Sequence, residues 1–169
     1  MKELFTRRSV REFSQKEISS TDLDLILKAA SQAPSAHNQQ PWEFILCVDK
    51  KNLEMLSHTP GHSDFLREAN KAIVLIARPQ DTLSVSDMMI QDMALAAQNI
   101  MLEARHLGIG SCYIGIYPRS DRMNYLSENL NIPSNYTPFC IIALGYPKNE
   151  GAFFEKKREY QSRMHKEKF

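Results

Sequence analysis

The sequence predicts an α+β layered domain. Three observations carry this prediction. Apolar runs of strand length recur along the chain, at Glu43–Val48, Ala72–Ala77, Ser111–Ile116 and Pro138–Leu144. Helical patterns of unequal length separate them, the longest from about Val85 to Leu107. The spacing is too irregular for a repeating strand–helix–strand array, so a sheet layered against helices is expected.

Each element has a local cause. Ser19-Ser20-Thr21-Asp22, followed by Leu23, Ile26, Leu27 and Ala30, reads as a capped amphipathic helix. Thr21 with Asp24 forms a variant capping box, and Pro34 stops the helix. Glu43–Val48 is a strand between Pro41 and a turn at Asp49-Lys50-Lys51-Asn52. Ala72–Ala77 is apolar at every position and is therefore expected at the centre of the sheet. Pro79 limits its extension.

The helix from Val85 to Leu107 carries apolar residues around most of its circumference, including Met88, Met93, Ala96 and Ile100. A helix apolar on nearly all sides is buried, in a core or in a subunit interface. Gly108 is suited to cap its C-terminus. Asp121–Asn129 is a short helix between the last two strands. After Gly145-Tyr146-Pro147 the sequence turns polar, and about 150–169 is expected to be an extended C-terminal arm of a single domain spanning 1–169.

The formal net charge of +1 argues against nucleic acid or an anionic membrane as partner. Three cysteines, Cys47, Cys112 and Cys140, match no zinc or redox spacing. Cys47 and Cys140 lie in apolar runs, and the set suits a reducing, cytoplasmic location. The N-terminal residues lack the apolar stretch of a signal peptide, and no apolar run approaches membrane-span length. His58, His62 and His106 show no metal spacing.

Two segments stand out as candidate ligand sites. In Arg7-Arg8-Ser9-Val10-Arg11, an extended backbone would direct Arg7, Ser9 and Arg11 to one side and Arg8 to the other. Guanidinium groups beside a hydroxyl suit a phosphate, because their paired donors match two phosphate oxygens. The second segment, Pro34-Ser35-Ala36-His37-Asn38-Gln39-Gln40-Pro41-Trp42, is too irregular for a regular helix. The amides of Asn38, Gln39 and Gln40 donate and accept, which suits the edge of a polar ring. Trp42 reads equally as core.

The arrangement Arg7-x-Ser9-x-Arg11 followed by Ala33-Pro34-Ser35-x-x-Asn38-x-Gln40-Pro41-Trp42 resembles the nitroreductase family of FMN flavoproteins. Two later stretches share the resemblance. One runs from Asp92 through Gln98-Asn99 and Gly108 to Gly115; the other is Ala143-Leu144-Gly145-Tyr146-Pro147 followed by Lys156-Lys157-Arg158. Nearly the whole chain is covered, with the motifs in order. The resemblance implies a three-layer fold, with a central mostly antiparallel sheet flanked by helices, in an intertwined homodimer. FMN would sit at the subunit interface, and the long helix would form the dimer core.

Carried over by motif, Arg7, Arg8, Ser9 and Arg11 would bind FMN from one subunit. Arg7 and Ser9 would serve the phosphate side and Arg11 the pyrimidine edge. Pro34, Ser35, Ala36 and Asn38 would close the site, partly from the other subunit. Lys156 and Arg158 would reach the phosphate, and the backbone at Ile114-Gly115 would lie near the reactive flavin nitrogen. The implied activity is an FMN-dependent, ping-pong transfer of hydride from NADH or NADPH to a nitroaromatic, quinone or similar small acceptor. A fixed cation at Arg11 would stabilise charge at the pyrimidine end.

No catalytic side chain is assigned, because the flavin carries such chemistry. His37 reads as a rim residue and Cys112 as a packed strand cysteine. No Gly-x-Gly-x-x-Gly fingerprint is present, so a nicotinamide donor would share the acceptor's pocket. The short intervals after Ala77 and between Ile116 and Pro138 leave little chain to cover that pocket. Two alternatives stay open: a non-turnover FMN binder, and a flavin enzyme of other chemistry such as reductive dehalogenation.

Overall fold

The sheet's interior strands are the ones whose sequence carries no polar side chain after the first residue. In the computed structural model, which describes residues 1–169, four antiparallel strands pair in the order β1-β2-β4-β3. They are β1 (Trp42–Cys47), β2 (Lys71–Ala77), β3 (Gly110–Gly115) and β4 (Thr137–Gly145). β2 and β4 have a neighbour on each side, and all but their first residues are buried. The register runs Trp42 to Ala77 and Cys47 to Ala72 in one ladder. In another it runs Gly110 to Gly145 and Gly115 to Cys140.

Alternation along β2 divides the interior into two cores. Ile73, Leu75 and Ala77 face helices α2 (Ser20–Ser31) and α4 (Met89–His106). Ala72, Val74 and Ile76 face the layer of α3 (Lys50–Ser57) and α5 (Ser120–Leu130). The result is the expected three-layer α+β arrangement. Trp42 packs into the first core. Between Leu75 and Ile76 the β2–β4 register slips past Phe139, next to Pro138, which has no N–H for the ladder.

α2 is capped differently from the expectation. Ser19, not Thr21, is the N-cap, its Oγ accepting from Asp22 N at 3.0 Å. Asp24 instead pairs with Lys28 one turn on, at 2.7 Å. The expected turn at Asp49–Asn52 is the start of α3, which buries Leu53 and Leu56. Asp49 takes the extended N-cap conformation there.

α4 begins at Met89, after short 3-10 turns at Gln80–Thr82 and Ser86–Met88. Its inward face, with Met93, Ala96, Ile100 and Ala104, is wholly inaccessible. Its outward face exposes Ile90 and Leu95. Just past its C-cap Leu107, Gly108 has a φ of +75°, the left-handed C-terminal geometry that glycine favours.

A short helix, α1 (Lys2–Thr6), precedes the arginine segment. That segment then runs along the outer edge of β3. Val10 N donates to Ser111 O at 3.0 Å, and Ser9 bridges Ser111 in parallel. Gly110 admits this approach because a Cβ there would lie 2.8 Å from the Val10 side chain. The arm beyond Phe153 is exposed throughout, with one 3-10 turn at Gln161–Arg163. Its root is tied down where Lys148 N donates to Glu12 O at 3.0 Å. No helix is long and apolar enough to cross a membrane.

Candidate functional site

The arginine segment and the arm together form a cationic cluster. Arg7 is held below the usual arginine range, first by burial and then by the charges of Arg8 and Arg158. The ion pairs of the chain lie elsewhere, at Lys28–Asp24, His58–Glu54, Arg67–Asp64, Lys71–Glu17 and His106–Glu3. Arg7, Arg8, Arg11, Lys156 and Arg158 therefore have no carboxylate partner.

Arg8 lies between the segment and the arm, its guanidinium 4.7 Å from the Phe154 ring centre. One of its N–H groups donates to Arg7 O, whereas Nε and Nη2 are buried without a partner. Buried donors left unpaired are costly, and such donors in a cationic cluster fit an anionic ligand such as a phosphate. Two clefts meet at Arg8. One, of about 640 Å3, is bordered by Phe5, Lys156 and Arg158, with Glu155 and Glu159 also on its wall. The other, of about 540 Å3, is bordered by Ser9, Arg11, Glu12 and Phe154.

Arg7, Ser9 and Arg11 act together on Cys112, as the alternation predicts. Burial pushes the Cys112 thiol up, while Arg11, the Ser9 hydroxyl and Arg7 pull it down. The net rise marks a buried, protonated thiol, consistent with a packed strand cysteine. A smaller cleft, of about 180 Å3, opens beyond Arg11 and is bordered by His62, Phe65, Ile114, Gly115 and Arg122.

The second expected half is the loop before β1. Ala36–Asn38 makes a single 3-10 turn, and His37, Asn38 and Gln40 take φ values of 49°, 53° and 46°. Three non-glycine residues in the left-handed region are strained, so other contacts must hold the loop. Ser35 Oγ accepts from Gln40 N at 3.0 Å. Asp92 on α4, itself only 3% exposed, accepts from Ala36 N at 3.0 Å and from Gln39 Nε2 at 2.7 Å. Gln39 also exchanges hydrogen bonds with the Val85 backbone, both at 3.0 Å.

The expectation that all three loop amides serve a ligand is therefore corrected: Gln39 is buried and spent on the scaffold. Gln40 Nε2 turns back to Asn38 O and Oδ1 at 3.3 and 3.1 Å. Pro34, His37 and Asn38 are exposed, and Ser35 and Ala36 are half-buried. Asp92 lies within the sequence stretch that carries the resemblance, yet only a buried acid on an inward helix face would have singled it out. Arg122 had no sequence signal.

Within one chain these halves do not meet. The loop leads into β1 and the arginine segment runs outside β3, at opposite edges of the sheet. Three strand steps separate β1 from β3, about 14 Å at the usual spacing, and the segment lies one step further out. No cluster of histidine, cysteine or acidic residues suited to a metal ion exists in the structure.

The pattern of the Nitroreductase family matches residues 4–56 and 49–146. An Archaeoglobus fulgidus protein, provisionally named NADH dehydrogenase/NAD(P)H nitroreductase, is 44% identical over 170 residues, covering 100% of this chain and 98% of its own. A Clostridium acetobutylicum crystal structure, provisionally described as an NADH oxidase, superposes with a TM-score of 0.93 at 41% identity, covering 99% of each chain. The FMN-dependent nitroreductase of Clostridium difficile R20291 superposes with a TM-score of 0.84 at 37% identity, covering 99% of this chain and 98% of that one. The chain belongs to the nitroreductase family.

Proposed function

We propose that this protein is an FMN-dependent oxidoreductase that uses NADH or NADPH to reduce a nitroaromatic, quinone or similar small acceptor. The observation that carries the reading is the cluster of Arg7, Arg8 and Arg158, which lacks any carboxylate partner and leaves two buried Arg8 donors unpaired. Membership of the family and the resemblance to a solved FMN-dependent nitroreductase support it. Bound FMN would supply the redox chemistry, taking a hydride from the nicotinamide and passing it on to the acceptor.

The chain's own residues bind and tune. Arg7, Arg8, Ser9, Lys156 and Arg158 hold the phosphate by charge-assisted hydrogen bonds. Arg11 places a fixed positive charge at the pyrimidine edge, where reduction accumulates negative charge. Gly115, next to Ile114 on β3, offers strand-edge backbone beside the reactive nitrogen. Pro34, Ser35, Ala36 and Asn38 close the site from a second copy of the chain, because their own copy holds them at the far edge of the sheet.

The working unit is thus a homodimer. The outward face of α4, with Ile90 and Leu95, and the exposed Tyr160 and Met164 of the arm supply apolar surface for it. The visible spectrum of the purified protein, before and after anaerobic NADH or NADPH, tests the function. A flavin spectrum that bleaches within seconds is expected. An absence of flavin after soaking with FMN would overturn the reading, and a bound flavin that neither donor bleaches would reassign the protein to the non-turnover binders.

A further inference from the structure

β3 is an edge strand, and its outer edge is covered over only part of its length. In an antiparallel ladder, successive residues direct their backbone groups alternately toward the partner strand and away from it. Ser111 O accepts from Val10 N, so the residues in step with Ser111, namely Tyr113 and Gly115, face outward. Ile116 N donates to Phe139 O on β4, consistent with the same alternation. The arginine segment departs after Val10. Beyond it the outward backbone of Tyr113 and Gly115 borders the cleft of about 180 Å3.

One side chain reaches this open edge. Arg122, two residues into α5, donates from Nη1 to Gly115 O at 2.6 Å. Its guanidinium lies over Gly61, where any Cβ would collide with it, and Gly61 has a φ of +88°. Glycine at 61 therefore makes room for Arg122 and permits the turn that passes beneath it. Arg122 belongs to none of the chain's ion pairs. It shares its cleft with Arg11, so two unpaired guanidinium groups flank the same strand end.

We propose that Arg122 is a positioning residue: it fixes the Gly115 backbone edge of β3 and, with Arg11, sets the positive charge at that edge. In an extended residue the N–H and C=O groups point the same way. A clamp on Gly115 O therefore also aims Gly115 N–H into the cleft. This inference rests on the FMN reading above, in which Ile114-Gly115 lies beside the reactive flavin nitrogen. A donor held there, and a second fixed cation, favour the reduced, more negative flavin over the oxidised form.

The test compares the wild-type protein with Arg122→Ala, Arg122→Lys and Gly61→Ala, the last displacing the guanidinium without removing it. Two readouts are taken on each: affinity for oxidised FMN, by fluorescence titration, and the two-electron potential of the bound flavin. Arg122→Ala should bind oxidised FMN within about threefold of wild type, since Arg122 is not among the phosphate residues. Its preference for reduced over oxidised flavin should fall by about tenfold, a drop of about 30 mV for a two-electron couple.

Gly61→Ala should move the potential in the same direction, and Arg122→Lys, which keeps the charge without the fork, should fall between. A purely structural role would lower Tm without moving the potential. If Arg122→Ala does not fold, the lysine and Gly61 variants decide. Unchanged potentials in the folded variants, on a protein that binds FMN, would overturn the inference alone. A wild-type protein that binds no FMN would overturn the site reading and the inference together.

Discussion

The Asp92 carboxylate and the Gln39 amide meet at 2.7 Å in a site where both residues are buried, at 3% and 8% exposure. Asp92 also receives the Ala36 N–H, so one acid on α4 holds two points of a loop that contains three left-handed non-glycine residues. A strained loop persists only when its surroundings over-determine it. The Asp92–Gln39 contact supplies that determination.

Replacing the acid should therefore loosen the loop before it harms the fold. In Asp92→Asn the amide opposes the Gln39 donor, leaving a buried group unpaired at a cost of about 1–3 kcal/mol. Chemical denaturation should register that loss, and FMN titration should show binding weakened by about tenfold, equivalent to ~1.4 kcal/mol. Unchanged FMN affinity would separate the loop from the ligand.

The cationic cluster makes a second prediction. Arg7→Ala and Arg158→Ala should each weaken FMN binding by about 1.5–3 kcal/mol, the worth of a charge-assisted hydrogen bond. Stability should hold or rise slightly, because Arg7 is already held down by burial and by its cationic neighbours. Purification of both variants with a full complement of flavin would remove the cluster from the phosphate site.

Placement along α4 separates folding from assembly. Ala96 and Ile100 are wholly buried within one chain, so a charge at either should unfold the protein whatever its oligomeric state. Leu95, 43% exposed in the single chain, lies on the outward face. Leu95→Glu should give a folded protein of monomer mass by light scattering, with little flavin. A fully flavinylated dimer carrying Leu95→Glu would move the interface elsewhere.

The thiols should be inert at neutral pH. Burial pushes Cys47 up to about 11, and Asp49 adds to the rise. Burial raises Cys112 and Cys140 as well. Iodoacetamide at pH 7.5 should leave all three unmodified in the native state and modify them after denaturation. A raised thiol stabilises the fold fully below its unfolded value near 8.5. That contribution is lost as pH rises through the folded value, so stability should decline between about pH 9 and 11. Rapid labelling of the native protein at pH 7.5 would contradict the buried placement.

The elements that were readable are those whose environment leaves a mark on local pattern. β2 and β4 lose the period of two because both faces are buried. α4 is long, and its inward face is densely apolar. α3 was hidden because only Leu53, Leu56 and Ser57 of its eight residues are buried, and its charged opening reads as a turn. Of the candidate site, the arginine segment and the loop were legible from residue type alone. The clamp was not, because Asp92 and Ala36 stand 56 positions apart and meet only through packing of the loop against α4. Arg122 was invisible for the same reason: its meaning comes from Gly61 and Gly115, which the fold brings to it.

The central claim is that two copies of the chain build each site, one giving the arginine segment and arm, the other the loop. Heterodimers formed from an Arg7→Ala/Arg158→Ala chain and a Ser35→Ala/Asn38→Ala chain test it directly, with bound FMN counted per dimer. Each homodimer should be impaired at both of its sites. In the heterodimer both defects fall on one site and the other is intact, so one tightly bound FMN per dimer is predicted. A heterodimer with no recovered tight site would mean that each site draws both halves from a single chain, against the separation across the sheet.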